Sequence, residues 1–139
     1  MKTQGYVVHS AGAQLEPFEF DRRQLRPRDV ALEIYYSGIC HSDIHQAREE
    51  WDPAIFPMVP GHEIVGKVID IGSQVSKFKI GELIGVGVFI DSCRNCSSCM
   101  AGLEQYCLED MTGTYNAIER DGTTVAFGGY SNRFVIDED

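Results

Sequence analysis

Val30-Ala31-Leu32-Glu33-Ile34-Tyr35-Tyr36 is made of β-branched, aliphatic and aromatic residues that alternate only in part between apolar and polar. Such a run describes a strand with one face covered and the other half-exposed. Gly5 to His9, Glu63 to Ile71, Leu83 to Val88 and Tyr130 to Ile136 share its Val, Ile and Tyr enrichment and are bounded by Gly, Pro or Asp. These stretches predict a mainly β fold, and only Ser42 to Glu50 reads as a helix. In Gly85-Val86-Gly87-Val88, glycine at alternate positions predicts a strand that another backbone or a ligand approaches closely.

The 139 residues, 43% of them hydrophobic, suffice for one folded unit with its own core. A formal charge of −9, from 12 basic against 21 acidic residues, argues against nucleic acid and against an anionic membrane surface. Met1 to Ser10 lacks the pattern of a secretory signal, and no stretch approaches the ~20 apolar residues of a membrane span. Cytosol is therefore the expectation, and in a reducing compartment clustered cysteines read as metal ligands rather than disulfides.

Between Asp91 and Asp110 the hydrophobic pattern stops and Cys93-x2-Cys96-x2-Cys99-x7-Cys107 begins. Four thiolates in so short a span match tetrahedral zinc, with all four positions filled by protein, so the site is structural. Metal binding worth about 10–16 kcal/mol in small zinc peptides is enough to fold a segment with almost no apolar content. An iron–sulfur run would place its last cysteine sooner and before a proline, whereas Cys107 precedes Leu108. Arg94 is the one basic residue of the segment, which disfavours a nucleic-acid-binding ribbon.

A second set of donors lies in Cys40-His41-Ser42-Asp43-Ile44-His45 and Gly61-His62-Glu63. Thiolate, imidazole and carboxylate together are the inventory of an open zinc site, in which three protein ligands leave a position for water or substrate. Cys40 and His62 are the first-choice ligands. On a regular strand His62 and Glu63 would point to opposite faces, so both reach one metal only if the backbone after Pro60-Gly61 is irregular.

Gly38 to His45, Trp51, Pro57 to Gly66, the cysteine lobe with Leu103-Glu104-Gln105-Tyr106-Cys107, Met111 to Asn116 and Gly128-Gly129-Tyr130 together resemble one family. It is the zinc-dependent medium-chain alcohol dehydrogenases, in the branch of cinnamyl alcohol dehydrogenases and bacterial broad-range aldehyde reductases. The resemblance implies a GroES-like, partly open β-barrel with short helices and a zinc-binding lobe over residues 91–110. It implies Cys40, His62 and Glu63 around a catalytic zinc, with Asp43 orienting His62, and Ser42 and His45 as a proton relay. It places His41 near the pyrophosphate of NADP(H) and Trp51 in the wall of the substrate pocket. The activity implied is reversible hydride transfer between a primary alcohol and an aldehyde, and NADP rather than NAD follows from the branch.

Family members continue into a Rossmann domain, but no G-x-G-x-x-G occurs here, and all five cysteines already have assignments. The expectation is a catalytic domain cut before its cofactor domain, inactive alone, whose longer form dimerises through the part that follows. Other readings remain beside these. Ser42 and Asp43 also suit a helix start, His45 a solvated helix face, Trp51 an ordinary core, and His9 the surface. The whole chain also reads as a stand-alone zinc-stabilised β-domain with a non-enzymatic binding role, or as a co-chaperonin, for which the cysteine lobe has no use.

Overall fold

The computed structural model describes residues 1–139. Strands β1 (Lys2–Val7), β2 (Glu16–Asp21) and β3 (Asp29–Ser37) precede helix α1 (His41–Ala47). Then come β4 (Ile64–Ile71), β5 (Leu83–Val86) and β6 (Phe89–Asp91), followed by the cysteine lobe with a short helix α2 (Ser97–Met100) and a 3-10 turn (Glu104–Tyr106). Strands β7 (Thr112–Gly113), β8 (Ala117–Ile118), β9 (Val125–Ala126) and β10 (Arg133–Asp137) follow. All pairings are antiparallel: a four-stranded sheet in the order β10-β3-β4-β5, and the pairs β1-β2, β6-β7 and β8-β9. No sheet closes on itself, so the mainly β, partly open architecture is as expected.

Val30 and Leu32 of β3, Ile64 and Val68 of β4, Val86, Ile90, Ala126 and Phe134 form one buried cluster. Each fully buried Val, Leu, Ile or Phe is worth roughly 1.5–3 kcal/mol of transfer free energy. In β4 the burial follows the strand period, with Ile64, Gly66 and Val68 inward and Val65 outward. Register shifts in β3 between Ala31 and Leu32, and between Ile34 and Tyr36, bend the central strand. The register also pairs Ser37 with Ile64. The chain leaving β3 toward Cys40 and the chain entering β4 from His62 and Glu63 therefore start side by side, fastened where the Gly38 amide donates to the Glu63 carbonyl at 2.8 Å.

Several boundaries differ from the expectation. β1 begins at Lys2 and its partner β2 was not anticipated, because Pro17 argues against a strand; β2 pairs on one side only, where a missing donor is tolerated. The helix spans His41–Ala47, not Ser42 to Glu50, and ends as Glu49 turns to φ 56°. Leu83 to Val88 is not one strand but ends at Val86. A Cβ at Gly87 would meet nothing within 4 Å and one at Gly85 only the Ile64 carbonyl at 3.7 Å, so no close neighbour requires glycine here, although Gly85 pairs with Val65 and the Gly87 carbonyl accepts from the Thr114 hydroxyl. β10 starts at Arg133 because Gly128 to Tyr130 pair instead with Val59 to Gly61, through amides of Gly128, Gly129 and Tyr130 donating to carbonyls of Val59, Gly61 and Pro60 at 2.7, 2.8 and 2.9 Å.

Candidate metal centres

The lobe gathers its four cysteines into one cluster whose sulfurs all lie within 4.8 Å of one another. Sγ of Cys99 is 3.8 Å from that of Cys93 and 3.5 Å from that of Cys96. Disulfide sulfurs would be about 2.05 Å apart, whereas the edge of a tetrahedron with ~2.3 Å zinc–sulfur bonds is about 3.8 Å. The donor set thus fits a closed four-thiolate zinc site and not a pair of disulfides.

Backbone amides point at the sulfurs: Cys93 N–H to Cys107 at 3.4 Å, Cys96 N–H to Cys93 at 3.3 Å and Leu108 N–H to Cys96 at 3.4 Å. Such donors stabilise the thiolate. The Leu108 amide, aided by the Cys99 amide, pulls the Cys96 thiol down to about 6, and the Cys93 amide lowers Cys107. At Cys93 the amides of Asn95 and Cys96 act downward, but desolvation and the neighbouring Cys107 and Cys96 push the thiol up to about 11. Crowding four like groups spreads their titrations apart, so the thiol protons belong to the cluster rather than to single cysteines. Arg94 and Arg120 hold the lobe to the barrel: Arg94 pairs with Asp91 and, at 3.1 Å, Asp137, and Arg120 donates to the Asp110 carbonyl and lies 3.8 Å from Cys107 Sγ.

The second cluster unites Cys40, His62 and Glu63, whose ligand atoms also lie within 4.8 Å of one another. His62 is buried and Glu63 exposed. Both face the same point because they precede the regular part of β4, after Gly61 at φ 103°. A Cβ at Gly61 would sit 2.7 Å from Tyr130 Cδ1 and 2.8 Å from Tyr130 N, so this approach requires glycine. Gly38 makes room for the Glu63 carboxylate, which would lie 2.2 Å from a Cβ there. A thiolate, an imidazole and a carboxylate in this arrangement suit zinc with one position left open.

Asp43 lies behind the cluster, 4% exposed, and its carboxylate accepts three hydrogen bonds. Oδ2 accepts from Cys40 N–H at 2.9 Å and from Tyr130 O–H at 3.0 Å; Oδ1 accepts from Gly61 N–H at 3.0 Å and lies 3.3 Å from His62 Nδ1. It therefore both caps α1 and faces the imidazole. Tyr115 stacks on the His62 ring at 5.8 Å, and its buried hydroxyl has no hydrogen-bond partner. Desolvation, reinforced by the Asp43 charge, raises the pKa of both phenols, so they stay protonated.

Ser42 Oγ lies 3.6 Å from Cys40 Sγ, and Ser42 and His45 stand three residues apart on one side of α1. His45 Nδ1 is 2.6 Å from Glu50 Oε2, which lowers the Glu50 pKa, and its ring stacks on Trp51 at 4.9 Å. His41 is exposed, with its ring 6.2 Å from that of His45. Trp51 is 55% exposed, hence not core. His9 is exposed. Sequence reasoning missed Glu50, Tyr115 and Tyr130; the last two fell inside quoted motifs, where an aromatic beside glycines was the available signal.

A partly open β-barrel carrying one closed and one open cluster of zinc-type donors defines a domain able to hold metal. The chain belongs to the alcohol dehydrogenase GroES-like domain family, whose match covers residues 26–139. It is 53% identical over 134 residues to NADP-dependent alcohol dehydrogenase C 1 of Mycolicibacterium smegmatis, covering 96% of this chain and 38% of that protein. It is 49% identical to aldehyde reductase YahK of Escherichia coli, covering 99% and 39%. Among solved structures, CAD from Helicobacter pylori complexed with NADP(H) superposes with a TM-score of 0.94 at 43% identity, over 99% of this chain and 40% of that one. A cinnamyl alcohol dehydrogenase of Sorghum bicolor gives 0.95 at 40% identity, over 100% and 39%. The chain thus spans about two fifths of the length of these relatives.

Proposed function

We propose that this chain is the zinc-binding catalytic domain of an NADP-dependent alcohol dehydrogenase or aldehyde reductase, acting on primary alcohols and the corresponding aldehydes. The observation that carries the reading is the convergence of Cys40, His62 and Glu63 within 4.8 Å, backed by the buried Asp43 carboxylate 3.3 Å from His62 Nδ1. The printed activities of the relatives support the substrate class and the nucleotide.

Cys40, His62 and Glu63 would hold the catalytic zinc, and Cys93, Cys96, Cys99 and Cys107 a structural one. Bound in the open cluster, zinc supplies Lewis acidity toward the substrate oxygen. Asp43 fixes His62 with Nδ1 toward the carboxylate, leaving Nε2 to bind. Ser42, a hydroxyl that both donates and accepts, gives a proton to the substrate oxygen in aldehyde reduction and takes it back in alcohol oxidation. His45 renews that proton, and Glu50 holds the imidazole by Nδ1. Trp51, stacked on His45, offers an apolar wall to an aromatic or apolar aldehyde, and His41 offers a ring N–H to the pyrophosphate of NADP(H). Hydride exchange requires a nicotinamide site beyond these residues, so the 139-residue chain alone is expected to be inactive.

The test is zinc content by elemental analysis of the chain with its Cys40→Ser and Cys93→Ser variants. The expected result is about two zinc per chain, one lost in each variant, since three protein ligands suffice for an open site. Joined to a dinucleotide-binding domain, the chain should reduce aldehydes with NADPH, and Cys40→Ser should not. No zinc in protein purified without chelator, or zinc-replete full-length protein that turns over neither alcohol nor aldehyde, overturns the reading.

A further inference from the structure

Arg22 is a charged side chain that forms no salt bridge and that the chemistry above does not use. Its Nε donates to the Arg133 carbonyl at 2.7 Å, Nη1 to the Phe127 carbonyl at 2.7 Å, and Nη2 to the Gly128 carbonyl at 2.9 Å and Ser131 Oγ at 3.0 Å. All four acceptors belong to one seven-residue turn. The guanidinium also packs against the Phe134 and Phe20 rings, 4.4 and 5.2 Å from their centroids. Desolvation, opposed by Glu119, pulls its pKa down to about 9, which leaves it cationic at neutral pH. The desolvation of this cation is offset by the four hydrogen bonds and two ring faces, so the guanidinium and the turn hold one another in place.

That turn is the one that builds the metal centre from behind. Its Gly128, Gly129 and Tyr130 amides fasten the Val59–Gly61 segment whose next residue is His62, and the Tyr130 hydroxyl donates to Asp43. The two segments are so close that a Cβ at Gly128 would lie 2.4 Å from the Pro60 carbonyl. A shift of the turn is therefore passed on to both His62 and its carboxylate. We propose that Arg22 and Tyr130 are positioning residues of the Cys40–His62 centre: Arg22 locks the 127–133 turn, and the turn holds Asp43 and Gly61 in register with His62.

The inference rests on the Cys40–His62–Glu63 cluster being a metal site, and the experiment separates the two. Cobalt(II) is titrated into the metal-free chain, and the visible bands lost in Cys40→Ser are assigned to this centre and those lost in Cys93→Ser to the lobe. Tyr130→Phe removes one hydroxyl, and Arg22→Lys keeps the charge but not the fork. Each is expected to weaken cobalt at the Cys40 centre about 10–100-fold and to shift its bands, with the lobe bands unchanged. In the Tyr130→Phe background, Arg22→Lys should cost less than it does alone, because both act through one turn. If wild type shows no Cys40-dependent bands, the metal-site reading fails and this inference with it. If wild type binds cobalt and Tyr130→Phe binds it equally well with the same spectrum, the inference alone fails. It also fails if Arg22→Lys weakens lobe and centre alike, which is what a general loss of stability would do.

Discussion

Asp43 shows how one side chain can serve a helix, a loop and an imidazole at once. Its neighbours Cys40 N–H, Gly61 N–H, Tyr130 O–H and His62 Nδ1 all present donors or a nitrogen that becomes one when protonated, so a carboxylate, which only accepts, suits the place. Asp43→Asn keeps the shape but turns an N–H2 group toward donors. We expect it to cost about 1–3 kcal/mol in urea unfolding of the metal-free chain, and about 10–100-fold in metal affinity at the Cys40 centre measured against a chelator. An Asn variant as stable as wild type would show that the carboxylate contacts carry no weight. Gly61 is the matching backbone requirement, with φ at 103° and Tyr130 pressed against it. Gly61→Ala should add about 1–3 kcal/mol of strain and strip metal from the Cys40 centre while sparing the lobe, as elemental analysis of the variant would read.

At the scale of elements, the lobe and the barrel are held by different forces. The lobe exposes Met100 at 74%, Tyr106 at 66% and Leu108 at 72%, so little apolar burial supports it, whereas β3 and β4 carry the cluster of Val30, Leu32, Ile64 and Val68. Removing the zinc proposed for it should therefore release residues 93–107 without melting the sheet: after chelation, amide exchange should speed up in the lobe and stay slow in β3 and β4. Protection lost equally in both would mean that the lobe is part of the barrel's cooperative unit. The same contrast explains what was legible in the sequence. The β3 and β4 runs and the cysteine spacing announce themselves locally, through side-chain period and ligand count. β2 did not, because Pro17 hides an edge strand whose only partner is β1. The meeting of Cys40 with His62 was readable as chemistry, but its geometry depends on the Ser37–Ile64 register and on Gly61, which are facts of pairing. Glu50 was missed because its partner His45 sits across the end of a helix that stops sooner than its residues suggest.

At the scale of the whole molecule, a chain of net charge −9 gives several of its carboxylates backbone and side-chain donors. Glu138, at the end of β10, accepts from the amides of Ser76 at 2.7 Å and Lys77 at 2.8 Å and lies 3.5 Å from Arg28, so it ties the last strand to the loop after β4 and the approach to β3. The Lys77 and Ser76 amides, with Arg28 adding its charge against the opposing Asp139, hold the Glu138 pKa below its ordinary 4.5. Asp121 is lowered likewise, first by the Thr124 hydroxyl and then by the amides of Thr124 and Thr123. Because the folded state binds these protons less readily than the unfolded chain, each contact stabilises fully above the unfolded pKa and is lost as pH falls through the lowered folded value. The share of the melting temperature that these two carboxylates carry should thus be constant from pH 7 to about 5 and be lost below that, in the range where carboxylates protonate. Glu138→Gln should melt below wild type at pH 6, and the gap should narrow as the pH is taken down past 4. A gap of constant size would mean that Glu138 works through packing and not through its charge.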